Sequence, residues 1–292
     1  MKPRPKSVVL DLLSTLRGHA APVRFLVAAA EIFDIDSNAT RVAITRLLAC
    51  GLIERDERGA YRTGAAAAPV QTRLLSWRNI ADRLRHWSNE WIGAAPAACC
   101  CSKEGRASSV HALEFVGMRE LAPGFWIRPD NLEGGVAAVR TMLQALGLPT
   151  GSPVFSIREF DAEGEAMARA LWDSETIRED YRRITAGLDA SVANLHRLAE
   201  RDAMAETFLL GGEAIRRIVL DPLLPDPIIP SAERTSLVEA MIRYDEVGRR
   251  VWAPFVARYG LLTAVSPMDT QTWREPASFA LGEYPIPNGE PS

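Results

Sequence analysis

Residues 34–62 read DIDSNATRVAITRLLACGLIERDERGAYR, and the pattern is a capped helix, a stop and a two-stranded hairpin. Asp36 or Ser37 can accept from the first free helix N–H groups, so the helix opens there. Gly51 follows Leu47-Leu48-Ala49-Cys50 and supplies the stop. At about 100° per residue, Thr40, Ala43, Ile44, Leu47 and Leu48 share one face. Asn38, Arg41, Val42 and Thr45 fall in a narrow arc on the opposite face. One face packs, and the other presents an amide, a guanidinium, a methyl pair and a hydroxyl, the groups that read base edges in a DNA major groove. An ordinary amphipathic surface helix has the same pattern, so the helix alone leaves two readings open.

The residues after the helix decide between them. Leu52-Ile53-Glu54-Arg55 and Ala60-Tyr61-Arg62 are short strand-like runs, and Asp56-Glu57-Arg58-Gly59 is the turn between them. Helix, tight stop and basic-edged hairpin together make the winged variant of the helix-turn-helix, in which the second helix enters the groove and the hairpin tip approaches the flanking backbone. Two supporting helices lie upstream. Residues 7–16 carry Val8, Val9, Leu12, Leu13 and Leu16 and end at Gly18; residues 23–32 are mostly apolar, with Pro22 at a natural first helical position. Lys2, Arg4 and Lys6 form a proline-interleaved basic arm in front.

Charge is distributed to match. The chain of 292 residues has a net charge of −3, but residues 1–87 hold 14 Lys and Arg against 8 Asp and Glu, a net of +6, leaving −9 on the remainder. A basic module on an acidic body suits a phosphate-facing unit attached to one that avoids nucleic acid. No apolar run approaches the roughly 18–20 residues that span a bilayer. The N-terminal segment lacks a small-residue cleavage pattern, and its apolar part is broken by Asp11, Ser14 and Thr15, so a signal peptide is not expected. Cys50 and the run Cys99-Cys100-Cys101 make neither a disulfide framework nor a zinc set, which predicts reduced thiols in a cytoplasmic protein.

Outward from the module, residues 64–69 (GAAAAP) are a small-residue joint, and 70–87 predict a linker helix packing Leu74, Leu75, Ile80 and Leu84 on the next unit. Its Arg73, Arg78, Arg83 and Arg85 offer a second way to track DNA. Residues 91–101 read as a strand, 108–116 as a helix, two short strands flank Pro123-Gly124 and end at 125–128, 133–146 is a helix and 154–160 a last strand. That order, βαββαβ, is ferredoxin-like and by itself silent about function. Residues 177–201, 204–220 and 231–259 predict three helices, interrupted at 221–230 by DPLLPDPIIP. Four prolines there forbid helix, and the leucines and isoleucines require a groove. The tail after Glu275 reads as loosely ordered.

Catalysis has little to stand on. His19, His86, His111 and His196 are scattered without partners at metal or triad spacing, and Gly134-Gly135 and Gly211-Gly212 lack the neighbours of a phosphate loop. A nuclease would need metal-binding carboxylates on the strand beginning at Trp91, and 91–101 contains none. An RNA-binding adaptor would need an aromatic-rich strand, which is also missing. No catalytic residue, metal site or resident cofactor is expected.

Three segments carry a more specific likeness: TRVAITRLLACGLIERDERGAYR at 40–62, WSNEWIG at 87–93 and RRIVLDPLLPDPIIP at 216–230. Over about residues 7–259 the chain resembles the PaaX family of bacterial regulators, the repressors of phenylacetate degradation. The resemblance implies an α+β multidomain fold: a winged helix-turn-helix at 1–69, a linker helix at 70–89, a ferredoxin-like (Cas2-like) unit at 90–161, a helical effector and dimerisation unit at 162–275, and the tail at 276–292. It implies a homodimeric repressor of an aromatic-catabolism operon that binds double-stranded operator DNA and is released by phenylacetyl coenzyme A or a related aryl thioester. DNA contacts transfer to Asn38, Arg41, Val42, Thr45 and Arg46, with Arg58 at the hairpin tip as a phosphate contact. Arg216 and Arg217 become effector candidates because guanidinium groups suit bidentate phosphate contacts, although an ion pair with Glu213 or Asp221 explains them equally well. A regulator of another pathway, with a different ligand or none, remains the alternative.

Overall fold

A computed structural model describes residues 3–16, 18–67, 76–97 and 103–261. Helix α1 (Pro5–Thr15) begins on Pro5, where the missing N–H costs nothing, and buries Val8, Val9, Leu12 and Leu13. Arg4 is its cap and Lys6 sits in its first turn, so these two basic residues belong to the helix start and not to a separate arm. Strand β1 (Ala21–Pro22), helix α2 (Val23–Glu31), helix α3 (Ser37–Ala49), strand β2 (Ile53–Arg55) and strand β3 (Ala60–Thr63) follow, with the strands in the antiparallel order β1-β3-β2. Pro22 is not the first helical residue: it caps α2 from an extended conformation and pairs opposite Ala60. A two-residue strand has no periodicity for a sequence reading to detect.

The linker departs from the expected helix. Residues 70–75, with Arg73, Leu74 and Leu75, lie outside the described residues, and Ser76–Arg83 is a run of 3-10 turns broken at Asn79. Side chains three apart eclipse in such turns, which lets Trp77 and Ile80 bury on one side. Beyond it the chain extends beside residues 131–133: the Glu133 amide donates to the Arg83 carbonyl (2.9 Å), and the Arg85 amide to the Asn131 carbonyl (2.9 Å). Two of the linker arginines, Arg78 and Arg85, are held in ion pairs. Arg78 pairs with Asp245 and lies over the Trp77 ring at 4.5 Å, and Arg85 pairs with Asp130 at 2.5 Å.

Strand β4 (Trp91–Ala94), helix α4 (Lys103–Phe115), strands β5 (Arg119–Ala122) and β6 (Phe125–Pro129), helix α5 (Gly135–Ala145) and strand β7 (Val154–Ile157) form one antiparallel sheet in the order β5-β6-β4-β7. The strand expected over 91–101 ends at Ala94, and Cys99–Cys101 lie outside the described residues. Gly93 is needed where it stands: a Cβ there would come 2.7 Å from the Phe155 ring across β4 and β7.

The remainder is helical: α6 (Ala162–Arg169), α7 (Ser174–Asn194), α8 (Glu200–Val219) and α9 (Ser231–Ala257). The single helix expected over 177–201 stops at Asn194, passes through the 3-10 turn Leu195–Arg197 and restarts at Glu200. Buried Leu195 anchors that reversal, and Glu200 and Asp202 place negative charge at the new N-terminus. Residues 221–230 bury Leu223, Leu224 and Ile229, as their composition demands.

Two apolar cores result, and α8 and α9 belong to both. Met204, Phe208, Trp252 and Phe255 pack with the N-terminal helices, while Ala214, Ile218, Leu237 and Met241 pack with the sheet and α7. The mixed α/β architecture and the helical C-terminal region agree with the sequence reading.

Candidate nucleic-acid interface

Helix α3 presents the face laid out by its sequence. Asp36 Oδ1 accepts from the Ala39 amide at 2.8 Å, and Gly51 ends the helix with φ +66°. Thr40, Ala43, Ile44 and Leu47 are buried against α1 and α2, with Leu48 half-buried beside them. Asn38, Arg41, Val42, Thr45 and Arg46 are exposed. Val42 keeps 42% of its surface and so presents its two methyl groups on that face. Thr45 Oγ1 donates to the Arg41 carbonyl at 3.1 Å, which fixes its rotamer and leaves its lone pairs outward. Among the described residues neither Arg41 nor Arg46 has a carboxylate partner.

The β2–β3 hairpin adds a second basic element. Asp56 Oδ1 accepts from the amides of Arg58 (3.0 Å) and Ala60 (2.8 Å), closing the turn, and Gly59 takes φ +78°. The Arg55 guanidinium lies over Gly59, where a Cβ would meet its Nη2 at 2.9 Å. Arg58 projects from the tip, exposed. Arg62 is held by Glu54 on the neighbouring strand.

Arg201, at the start of α8, bears on the same site and carries no signal in its local sequence. It donates to the Glu31 carbonyl and to Asp34 Oδ1, both at 2.6 Å, and so grips the turn between α2 and α3. Asp34 has φ +58°, a left-handed conformation that a non-glycine residue adopts at a cost. Phe33, in the same turn, packs against Phe208 and Trp252 at ring separations of 5.0 and 6.5 Å. The exposed helix is thus oriented by the C-terminal helices as well as by its own module. The only local signal was Asp34 itself, next to a cap residue, and its partner lies more than 160 positions away.

The two effector candidates do not converge on one opening. Arg217 is half-buried, pairs with Asp180 at 3.0 Å and lies over the Tyr181 ring at 6.0 Å. Arg216 is exposed and faces α1, where burial lifts the Asp11 carboxyl to about 6 and Arg216 partly offsets that rise. Neither of the expected partners, Glu213 or Asp221, is the closest carboxylate to Arg217; Glu213 pairs with Arg183 at 3.7 Å. Asp221 is buried, its acidity weakened by desolvation, and it accepts from Tyr181 OH and from the Leu223 amide at 2.6 Å.

Among the described residues no group of three His, Cys, Asp or Glu side chains is placed to hold a metal, and no helix is long and apolar enough to cross a membrane. Residues 172–243 match the PaaX-like protein C-terminal domain. The fold is similar to that of the uncharacterized protein Rv0674 from Mycobacterium tuberculosis, at a TM-score of 0.52 and 22% identity over 82% of this chain and 97% of that one. No curated protein matches the sequence significantly.

Proposed function

We propose, from the match of residues 172–243 to the PaaX-like protein C-terminal domain, that this chain is a PaaX-like transcription regulator that binds double-stranded operator DNA through α3. The observation that carries the reading is the outward face of α3: Asn38, Arg41, Val42, Thr45 and Arg46 are exposed together, with no carboxylate among them, and Arg58 stands on the adjoining hairpin. In this reading residues 1–69 are a winged helix-turn-helix, 70–89 a linker, 90–161 a ferredoxin-like (Cas2-like) unit and 162–275 a helical unit. Two features support it: the β1-β3-β2 hairpin sheet beside three helices, and the β5-β6-β4-β7 order with a helix after the first and third strands. α3 lies in the major groove, and Arg58 meets a phosphate.

The finer reading is a cytoplasmic homodimeric repressor of an aromatic-catabolism operon, on half-sites about one helical turn or a multiple apart. An aryl-acyl coenzyme A thioester releases it by favouring the free arrangement by roughly 1–3 kcal/mol. The engagement of Arg217 by Asp180 and Tyr181 favours a second version, a regulator of the same kind whose ligand is not held by a paired-arginine phosphate clamp.

The test is fluorescence anisotropy with the DNA upstream of the protein's own operon at two salt concentrations, repeated with phenylacetyl coenzyme A and free coenzyme A. Sequence-selective, salt-dependent binding supports the regulator, and its reversal by the thioester alone supports the effector. Absence of selective binding would overturn the reading.

A further inference from the structure

The N-terminal module holds a cation that neither the outward face of α3 nor the tip residue Arg58 accounts for. Arg55 closes β2, is exposed, and among the described residues has no hydrogen-bond or carboxylate partner. Comparable arginines do pair. Arg62 is bound to Glu54 opposite it, and Arg182 and Arg183 of α7 reach Glu175 (2.5 Å) and Asp180 (3.5 Å). The acidic neighbours of Arg55 are engaged within the hairpin, Glu54 by Arg62 and Asp56 by the turn amides of Arg58 and Ala60.

Its direction follows from the strand register. Ile53, Glu54 and Arg55 stand opposite Thr63, Arg62 and Tyr61, and side chains alternate between the two faces of a strand pair. Arg55 therefore shares its face with Ile53, which is buried in the core of α1, α2 and α3, while the Glu54–Arg62 pair occupies the outer face. The Arg55 side chain emerges just beyond that core, on the side of the hairpin turned toward the helices. Its guanidinium lies over Gly59, where a Cβ would meet Nη2 at 2.9 Å and where φ +78° also favours glycine. The Asp56 amide donates to the Ala60 carbonyl at 2.8 Å, so Arg55 and Tyr61, one step back, form a close pair without mutual backbone hydrogen bonds. Tyr61 thus narrows the space for the arginine stem. A long cationic side chain is held over a glycine gap with its donors unused.

We propose that Arg55 grips the DNA backbone, contacting the phosphate strand that separates the groove entered by α3 from the groove beneath the hairpin. This contact rests on the operator reading and adds to it the anchor that sets the angle of the hairpin on the duplex. With α3 in the major groove and the hairpin over the flanking duplex, the strand between the grooves passes between these two elements, on the side where Arg55 stands. A guanidinium suits that position because it donates to two phosphate oxygens at once. Glu57, exposed at the tip, opposes entry of the tip into the negative floor of the minor groove, which favours the backbone over base edges as the target of Arg55. Such a contact carries no base information; it fixes register.

The experiment uses the full chain and the operator located by footprinting upstream of the protein's own operon. Binding is titrated across salt concentrations with the native protein, Arg55→Ala, Arg55→Lys and Arg58→Ala, then repeated on duplexes carrying one neutral methylphosphonate at each position along the site. Arg55→Ala should keep its unfolding midpoint, bind roughly tenfold more weakly at low salt, and lose about one unit of salt slope. Its loss should be equal for operator and unrelated DNA, and Arg55→Lys should keep the slope. One methylphosphonate beside the α3 half-site should weaken the native protein but not Arg55→Ala, at a position different from the one to which Arg58→Ala becomes indifferent. Selective native binding with an unchanged slope in Arg55→Ala, a loss confined to one base sequence, or a methylphosphonate pattern identical to the native one would each overturn the proposal. Absence of selective binding by the native protein removes the operator reading itself, and this contact falls with it.

Discussion

Arg41 is the residue on which the DNA reading is most exposed to test. It sits mid-helix on the α3 face, exposed and without a carboxylate partner among the described residues, so removing its guanidinium should leave the fold intact. Arg41→Ala should therefore keep its unfolding midpoint while losing about 1–3 kcal/mol of operator binding and relaxing base preference at one position. An unchanged affinity and footprint in a binding titration would remove Arg41 from the reading face. Arg58→Ala should act differently, weakening all sequences alike and lowering the salt slope by about one unit. Asp11 carries a separate, pH-dependent signature. Burial lifts its carboxyl from 3.8 to about 6, with Arg216 opposing. Between those values the folded chain holds a proton that the unfolded chain has released, so this contribution to stability is greatest below pH 3.8 and is lost as pH rises through about 6. Asp11→Asn should accordingly raise stability at pH 7.5 by about 1–3 kcal/mol and by nothing near pH 3.5, as denaturant titrations at the two pH values would show.

At the scale of elements, what was legible in the sequence was what local chemistry decides. The cap at Asp36, the stop at Gly51 and the buried face of α3 each depend on residues within a few positions of one another, and each is present. The groove for Leu223, Leu224 and Ile229 was legible because four prolines close off helix and strand alike. The linker and the α7–α8 junction were misread because tertiary packing overrides a helical pattern: Trp77 and Ile80 are better buried by 3-10 turns, and the chain must reverse after Asn194 to lay α8 on α7. The grip of Arg201 on the α2–α3 turn was invisible for another reason, namely that its partners are on a remote segment. Arg201 and Asp34 are both more than half exposed, so their ion pair adds little to global stability. Its importance lies in orientation. Arg201→Ala should change unfolding free energy by less than about 1 kcal/mol, yet weaken operator binding severalfold and speed amide hydrogen exchange in residues 31–37. Unaltered exchange in that turn would mean that the packing of Phe33 alone fixes the helix.

At the scale of the whole molecule, α8 and α9 tie the N-terminal module to the sheet. A 20-residue helix is about 30 Å long, and α8 spends its first half on Phe33 and the α2–α3 turn and its last turns on the core under the sheet. α9 runs back the other way, from Arg234, which donates to the Leu224 carbonyl at 3.0 Å, to Phe255, which meets Phe25 at 5.7 Å and Tyr259 at 5.3 Å. A module on a flexible tether would bind DNA whatever happened at the sheet; one seated on two shared helices must follow their displacement. Phe255→Ala tests that seating. Phe255 is buried among aromatic rings far from every proposed DNA contact, and truncating it should cost about 3–4 kcal/mol where the site cannot collapse. If the module is seated as described, hydrogen exchange should rise in α2 and α3 together with the C-terminal turns of α9, and operator binding should weaken although no DNA-facing residue has changed. If α2 and α3 keep their protection and the variant binds DNA like the native chain, the N-terminal module folds and acts independently, and any signal from the sheet must reach it by another route.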